Sequence, residues 1–335
     1  VFLSGALACF SAVGCDVGRD PYVYGGPAPQ VLEVLAREAA TAAPSALDPE
    51  GSSVVFSGSA LRVRFDRYMD PQSMIRQSYC LQPDPAVVVG FEDCTQGVFT
   101  APSYDPVTRT LSVHLDERLV AGNLYTLTLL APREGTDFGF RAFDGVAFEA
   151  NVSVSFTVAA DVEPPEAVEG PAEAPDCADV AETIKTELSC LTCHVVDDET
   201  APPAGLTLNR EGLIAAIGRT AHGTSVGAAA HESQERPERF GSNMPLIDEK
   251  GSAGNSYLLY KLLAHEQALD GLADGETERL RASVVVGLPM PPPSEPARQF
   301  DSEGNPLPPR EPASPEAMSL ISRWISAGAP CAATD

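Results

Sequence analysis

Leu61-Arg62-Val63-Arg64-Phe65-Asp66 alternates apolar and charged side chains, and its reading decides the fold of the N-terminal half. Successive side chains on an extended chain point to opposite faces, so strict alternation marks a strand with one face buried. The pattern recurs downstream. Leu111, Val113 and Leu115 alternate with Ser112 and His114. Tyr125, Leu127 and Leu129 share one face, with Leu124, Thr126 and Thr128 on the other. Val152-Ser153-Val154-Ser155-Phe156-Thr157-Val158 gives a last strand. Turn signals at Asp105-Pro106, Ala121-Gly122-Asn123 and Asp144-Gly145 separate these runs. Short strands with regular turns predict an all-β sandwich over residues 52–159.

Outward from this block the composition changes. Residues 160–176 hold Glu163-Pro164-Pro165-Glu166 and further alternating Glu and Pro, a linker stiffened by proline and extended by like charge. Residues 177–335 switch to helical periodicity. Val180, Ile184, Leu188 and Leu191 recur at helical spacing. Asn209 can cap a helix through Leu213, Ile214 and Ile217 that stops at Gly218. Asn255 or Ser256 opens another, and Ser314-Pro315 opens the last, which carries Met318, Ile321, Trp324 and Ile325 and ends at Gly328.

Within this region lies Cys190-Leu191-Thr192-Cys193-His194. Two thiols three positions apart, with an imidazole next, have the spacing of a c-type haem attachment site. Both sulfurs can reach one porphyrin from one helical turn, and His194 can ligate the iron as the proximal ligand. A structural disulfide and a zinc half-site are the other readings of the pair. Zinc would require further ligands at metal spacing, and no second CxxC pair exists. A thioredoxin-like motif would require a βαβ surround.

The eight cysteines divide by position. Cys9 and Cys15 lie in the N-terminal apolar stretch, and Cys190 and Cys193 belong to the haem motif. Cys80 with Cys94 and Cys177 with Cys331 are read as disulfides, with free buried thiols as the alternative. Haem attachment and paired cysteines both point to an oxidising, exported compartment. The chain has 335 residues and a formal net charge of −25, which argues against nucleic acid as a partner and favours a basic one.

Three resemblances add to this. Ala12-Val13-Gly14-Cys15 resembles the end of a bacterial lipoprotein signal, which implies a lipid anchor on Cys15. Residues 1–15 would then be a signal segment and 16–51 a tether; Ala6-Leu7-Ala8-Cys9 is a rival signal box. Val63 to Pro71 with its Met69-Asp70-Pro71 turn, and Leu119 to Leu127 with Gly122 and Tyr125-Thr126, resemble strands of bacterial Ig-like domains. Gly254 to Leu262, then Leu288-Pro289-Met290-Pro291, then Trp324 to Ala329 follow the haem motif in order. Together they resemble cytochrome c-type domains of exported multidomain bacterial proteins. That resemblance makes His194 the proximal iron ligand and Met290 the distal one. The prolines around Met290 would hold its thioether in an extended backbone. Met244 is the rival ligand, with His222, His231 and His265 behind it, and Met318 belongs to a helix stripe.

The expectation is therefore an all-β Ig-like sandwich followed by a mainly α, cytochrome c-like domain. Its function would be one-electron transfer through a single covalent haem c, in an exported, lipid-anchored protein with a basic redox partner. No phosphate-binding, dinucleotide or nucleophile motif marks an enzyme. Two alternatives stay open: a haem-based sensor or peroxidase-like enzyme, and a surface-binding scaffold acting through its β-domain.

Overall fold

The computed structural model describes residues 25–49, 51–83, 87–134, 138–160, 174–188, 194, 206–219, 221, 244–265, 269–285, 289–291 and 311–331. The alternating stretch forms β4 (Leu61–Phe65), with Leu61, Val63 and Phe65 fully buried and the two arginines between them half-buried. It lies at the middle of a five-stranded antiparallel sheet. Its companions are β1 (Val31–Ala36), β2 (Ser45–Ala46), β6 (Thr100–Asp105) and β7 (Thr110–Leu115), in the order β2-β1-β4-β7-β6. A second sheet has the order β3-β9-β8-β5, from β3 (Val54–Val55), β5 (Tyr79–Pro83), β8 (Leu124–Leu129) and β9 (Val152–Val158). All its pairs are antiparallel except β3 with β9.

The inward faces of the two sheets share one core. Phe65 packs between Phe140 and Phe148 with ring centroids 5.9 and 6.1 Å away, and Tyr125 stacks on Phe156 at 6.2 Å. Burying each such ring contributes about 2–3 kcal/mol. Cys80 and Cys94 form a disulfide on the outer side of the second sheet, over a small cluster with Val88 and Leu130.

Among the described residues five α-helices follow: α1 (Cys177–Thr186), α2 (Arg210–Ala216), α3 (Tyr257–Leu263), α4 (Glu276–Ser283) and α5 (Pro315–Ser326). Sequence capping signals explain most of their starts. The Asp176 carboxylate accepts from the Ala178 amide at 3.2 Å, and Asn209 Oδ1 from the Gly212 amide at 2.9 Å. Ser314 Oγ accepts from the Ala317 amide at 3.1 Å, with Pro315 at the first helical position. The stripe Met318, Ile321, Trp324 and Ile325 is fully buried. A disulfide from Cys177 to Cys331 ties the first residue of α1 to the chain beyond α5, across a sequence separation of 154. No helix among the described residues is long and apolar enough to cross a membrane.

The expected all-β Ig-like sandwich followed by a mainly α cytochrome c-like domain is not what forms. The described residues form a mixed fold, with two sheets and five helices that pack into one another. The physical reason lies at their junction, where charged side chains are buried between them. Arg67, just past β4, donates to Glu276 Oε2 on α4 at 2.9 Å, to Asp144 Oδ2 at 2.6 Å and to the Pro27 carbonyl at 2.6 Å. The side chains of Arg67 and Glu276 are fully buried. Arg109 donates to the Asp270 carbonyl at 2.5 Å, Ser322 on α5 to Asp105 Oδ1 at 2.7 Å, and the Ala273 amide to the Asp66 carbonyl at 2.8 Å. Tyr68 and Phe143 leave the sheet core to join the helical one. The predicted tether, residues 16–51, also departs from expectation, because its described part supplies β1 and β2 to the first sheet.

Candidate haem site

The site is built around His194. Helix α1 leads towards it, with Val180, Ile184 and the following Leu188 buried in the helical core. Cys190 and Cys193 lie outside the described residues, as do Cys15, Cys9, His222 and His231. His194 is described and is only 8% exposed.

Its surroundings fix its chemistry. The ring Nδ1 is 2.9 Å from the Leu206 carbonyl oxygen. A carbonyl can only accept, so Nδ1 carries a proton, and in the neutral ring Nε2 then keeps its lone pair. This is the tautomer of a metal-ligating histidine whose second nitrogen is held by a backbone carbonyl. Burial pushes the imidazole pKa down, the Leu206 hydrogen bond opposes this, and the Lys261 ammonium pushes it further down. Burial thus favours the neutral ring over the imidazolium.

The same strand of backbone grips the residue twice, since the Leu208 amide donates to the His194 carbonyl at 3.1 Å. Leu208 is buried, and Asn209 immediately caps α2. A side chain at Gly212 would bring its Cβ within 2.2 Å of the Thr207 carbonyl, so only glycine lets the first turn of α2 close on this segment.

Met290 is half-buried and packs against the helical core. Its amide donates to the Lys261 carbonyl on α3 at 2.9 Å. Lys261 thus holds Met290 by its backbone carbonyl, and its charge acts on His194. Met244 lies deeper, at 4% exposure, with its carbonyl taken by the Ala221 amide at 2.9 Å. Met318 is a core residue of α5. His265 follows α3.

His194 offers the kind of donor a haem iron takes, an imidazole that in its neutral form has an Nε2 lone pair to give, and Met290 carries a thioether on a segment bonded to α3. Sequence reading missed Leu206, Leu208 and Lys261. All three act through backbone atoms, which leave no signature in side-chain pattern.

The disulfides Cys80–Cys94 and Cys177–Cys331 assign the chain to an oxidising, exported setting. No family model matches the chain, and no curated protein matches it. Among solved structures, domains 1–6 of the surface layer protein SbsC align at 16% identity and a TM-score of 0.26, over 40% of this chain and 14% of that one. The N-terminal part of SbsC aligns at 17% identity and a TM-score of 0.26, over 39% of this chain and 24% of that one. The chain thus spans a quarter or less of those structures, and such scores are too low to mark a common fold.

Proposed function

We propose that this chain is an exported electron-transfer protein carrying one haem c, attached through Cys190 and Cys193, with His194 and Met290 as axial ligands. The observation that carries the reading is the His194 ring, buried and neutral, with its proton on Nδ1 and its Nε2 lone pair left for a metal. Beside the CxxCH spacing, this is the chemistry a proximal ligand needs. When bound, the haem supplies a one-electron couple between ferrous and ferric iron.

The chain's own residues set the conditions for it. The Leu206 carbonyl orients the imidazole, and the Lys261 carbonyl holds the backbone of Met290. The formal charge of −25 selects a basic redox partner, with association that weakens as salt rises. Lipidation at Cys15 would hold the protein at a membrane of the cell envelope.

The test is a visible spectrum, oxidised and reduced, of protein made with haem-maturation machinery, alongside Met290→Ala. The expected result is covalent, low-spin haem with an iron–sulfur charge-transfer band that the substitution abolishes. A band that survives Met290→Ala and is lost in Met244→Ala moves the sixth ligand to Met244. Absence of covalent haem overturns the reading. An unmodified N-terminus of the mature protein by mass spectrometry overturns the anchor.

A further inference from the structure

The outer face of the second sheet carries a concave site that electron transfer does not use. There β8 and β9 present a floor of hydroxyls: Thr126 pairs with Ser155 at 2.8 Å and Thr128 with Ser153 at 3.0 Å. Each pair shares one hydrogen bond, so each still has one O–H and spare lone pairs to offer. The cavity above this floor holds about 700 Å³, within the roughly 300–1,000 Å³ range of small-molecule sites.

One wall is a loop held firmly in place. The Cys80–Cys94 disulfide staples it to β5. Asn151 Nδ2 donates to the Val88 and Val89 carbonyls at 3.0 and 3.1 Å, while Oδ1 accepts from the Ala131 amide at 2.8 Å. The Asp93 carboxylate accepts from the Val89 and Gly90 amides at 2.9 and 3.1 Å. From this loop Val87 and Val89 line the cavity while staying 84% and 52% exposed. A second hollow of about 230 Å³ shares Ala131 and Arg133 with the first and is lined by Phe91, Leu130 and Phe138.

We propose that this double hollow binds a neutral oligosaccharide. Sugar hydroxyls match the Thr and Ser floor, and sugar C–H faces match the valines and the two phenylalanines. Charge argues for neutrality. Arg133, the cation shared by both hollows, is paired with Glu92, and Glu149 lies in the lining, on a chain of net charge −25. An added peptide strand would need a sheet edge, and β8 and β9 are both interior strands.

The experiment is calorimetric titration of the full chain with chitohexaose, cellohexaose and maltohexaose, and with tetragalacturonate as the anionic comparator. Saturable binding of at least one neutral sugar is expected, weakened about tenfold in the double variant Thr128→Val, Ser153→Ala. Val87→Asp, on an exposed side chain, gives the same test if the double variant does not fold. Binding of none of the neutral sugars, tighter binding of tetragalacturonate, or unchanged affinity in both variants would overturn the proposal.

Discussion

Two buried polar arrangements in this molecule use the same kinds of atoms to opposite ends. At the junction of sheets and helices, the Arg67 guanidinium is spent on Glu276, Asp144 and Pro27. Glu276 in turn accepts from the Tyr68 amide at 3.0 Å and from Arg279 at 2.8 Å. At His194 one nitrogen is committed to Leu206, and no described residue hydrogen-bonds the other. A buried polar group that is fully satisfied holds a fold together; one that is half satisfied by design is available for a ligand.

The largest effect that would break this contrast comes from Arg67→Met. It leaves two carboxylates buried without their shared cation, and such a loss costs about 3–5 kcal/mol. Urea denaturation should show the drop, with the haem spectrum of the folded protein unchanged. Replacing Arg67, Asp144 and Glu276 together by apolar residues should recover only part of it. The Tyr68 amide then loses its acceptor while staying buried. His194→Ala should behave in the reverse way. Its side chain gives the fold one hydrogen bond, so the apoprotein should lose only about 1 kcal/mol, whereas the low-spin haem spectrum should vanish. If both variants changed stability and spectrum alike, the division between the two sites would be wrong.

What could be read in the chain follows the same division. Leu61, Val63 and Phe65 announced a strand because their burial is periodic and local, and Asn209 and Ser314 announced helices because a cap acts within three residues. Val31, Leu32, Val34 and Leu35 have the spacing of a short helix, yet they form β1, because pairing with β4 overrides that local pattern. Helix α4 was illegible: Glu-Thr-Glu-Arg-Leu-Arg-Ala-Ser carries one large apolar side chain, Leu280, and looks solvated. Its buried Glu276 is held by Arg67 and the Tyr68 amide, more than two hundred residues earlier, as well as by Arg279 on its own helix. The error in fold class has that origin, since ion pairs distant in sequence merged two regions that periodicity had separated. At the site, the CxxCH spacing is a side-chain signal and could be seen. The Leu206 carbonyl that sets the His194 tautomer could not.

The smallest effect, and the sharpest test of how the junction is balanced, concerns pH. Burial raises the Glu276 carboxyl above its ordinary value, and the guanidinium groups of Arg67 and Arg279 only partly offset this. A carboxyl whose folded pKa lies above its unfolded one binds its proton more readily in the folded state. Stability from this group is therefore greatest below the unfolded value, and falls as pH rises through the interval up to the folded value. Above that interval the contribution is constant. Glu276→Gln keeps an acceptor for the Tyr68 amide and cannot ionise. Urea denaturation at intervals from pH 4 upward should show the decline in the parent protein and a shallower one in the variant. Identical slopes would mean that the two arginines hold Glu276 ionised throughout, and that the junction is a true four-charge cluster rather than one strained by burial.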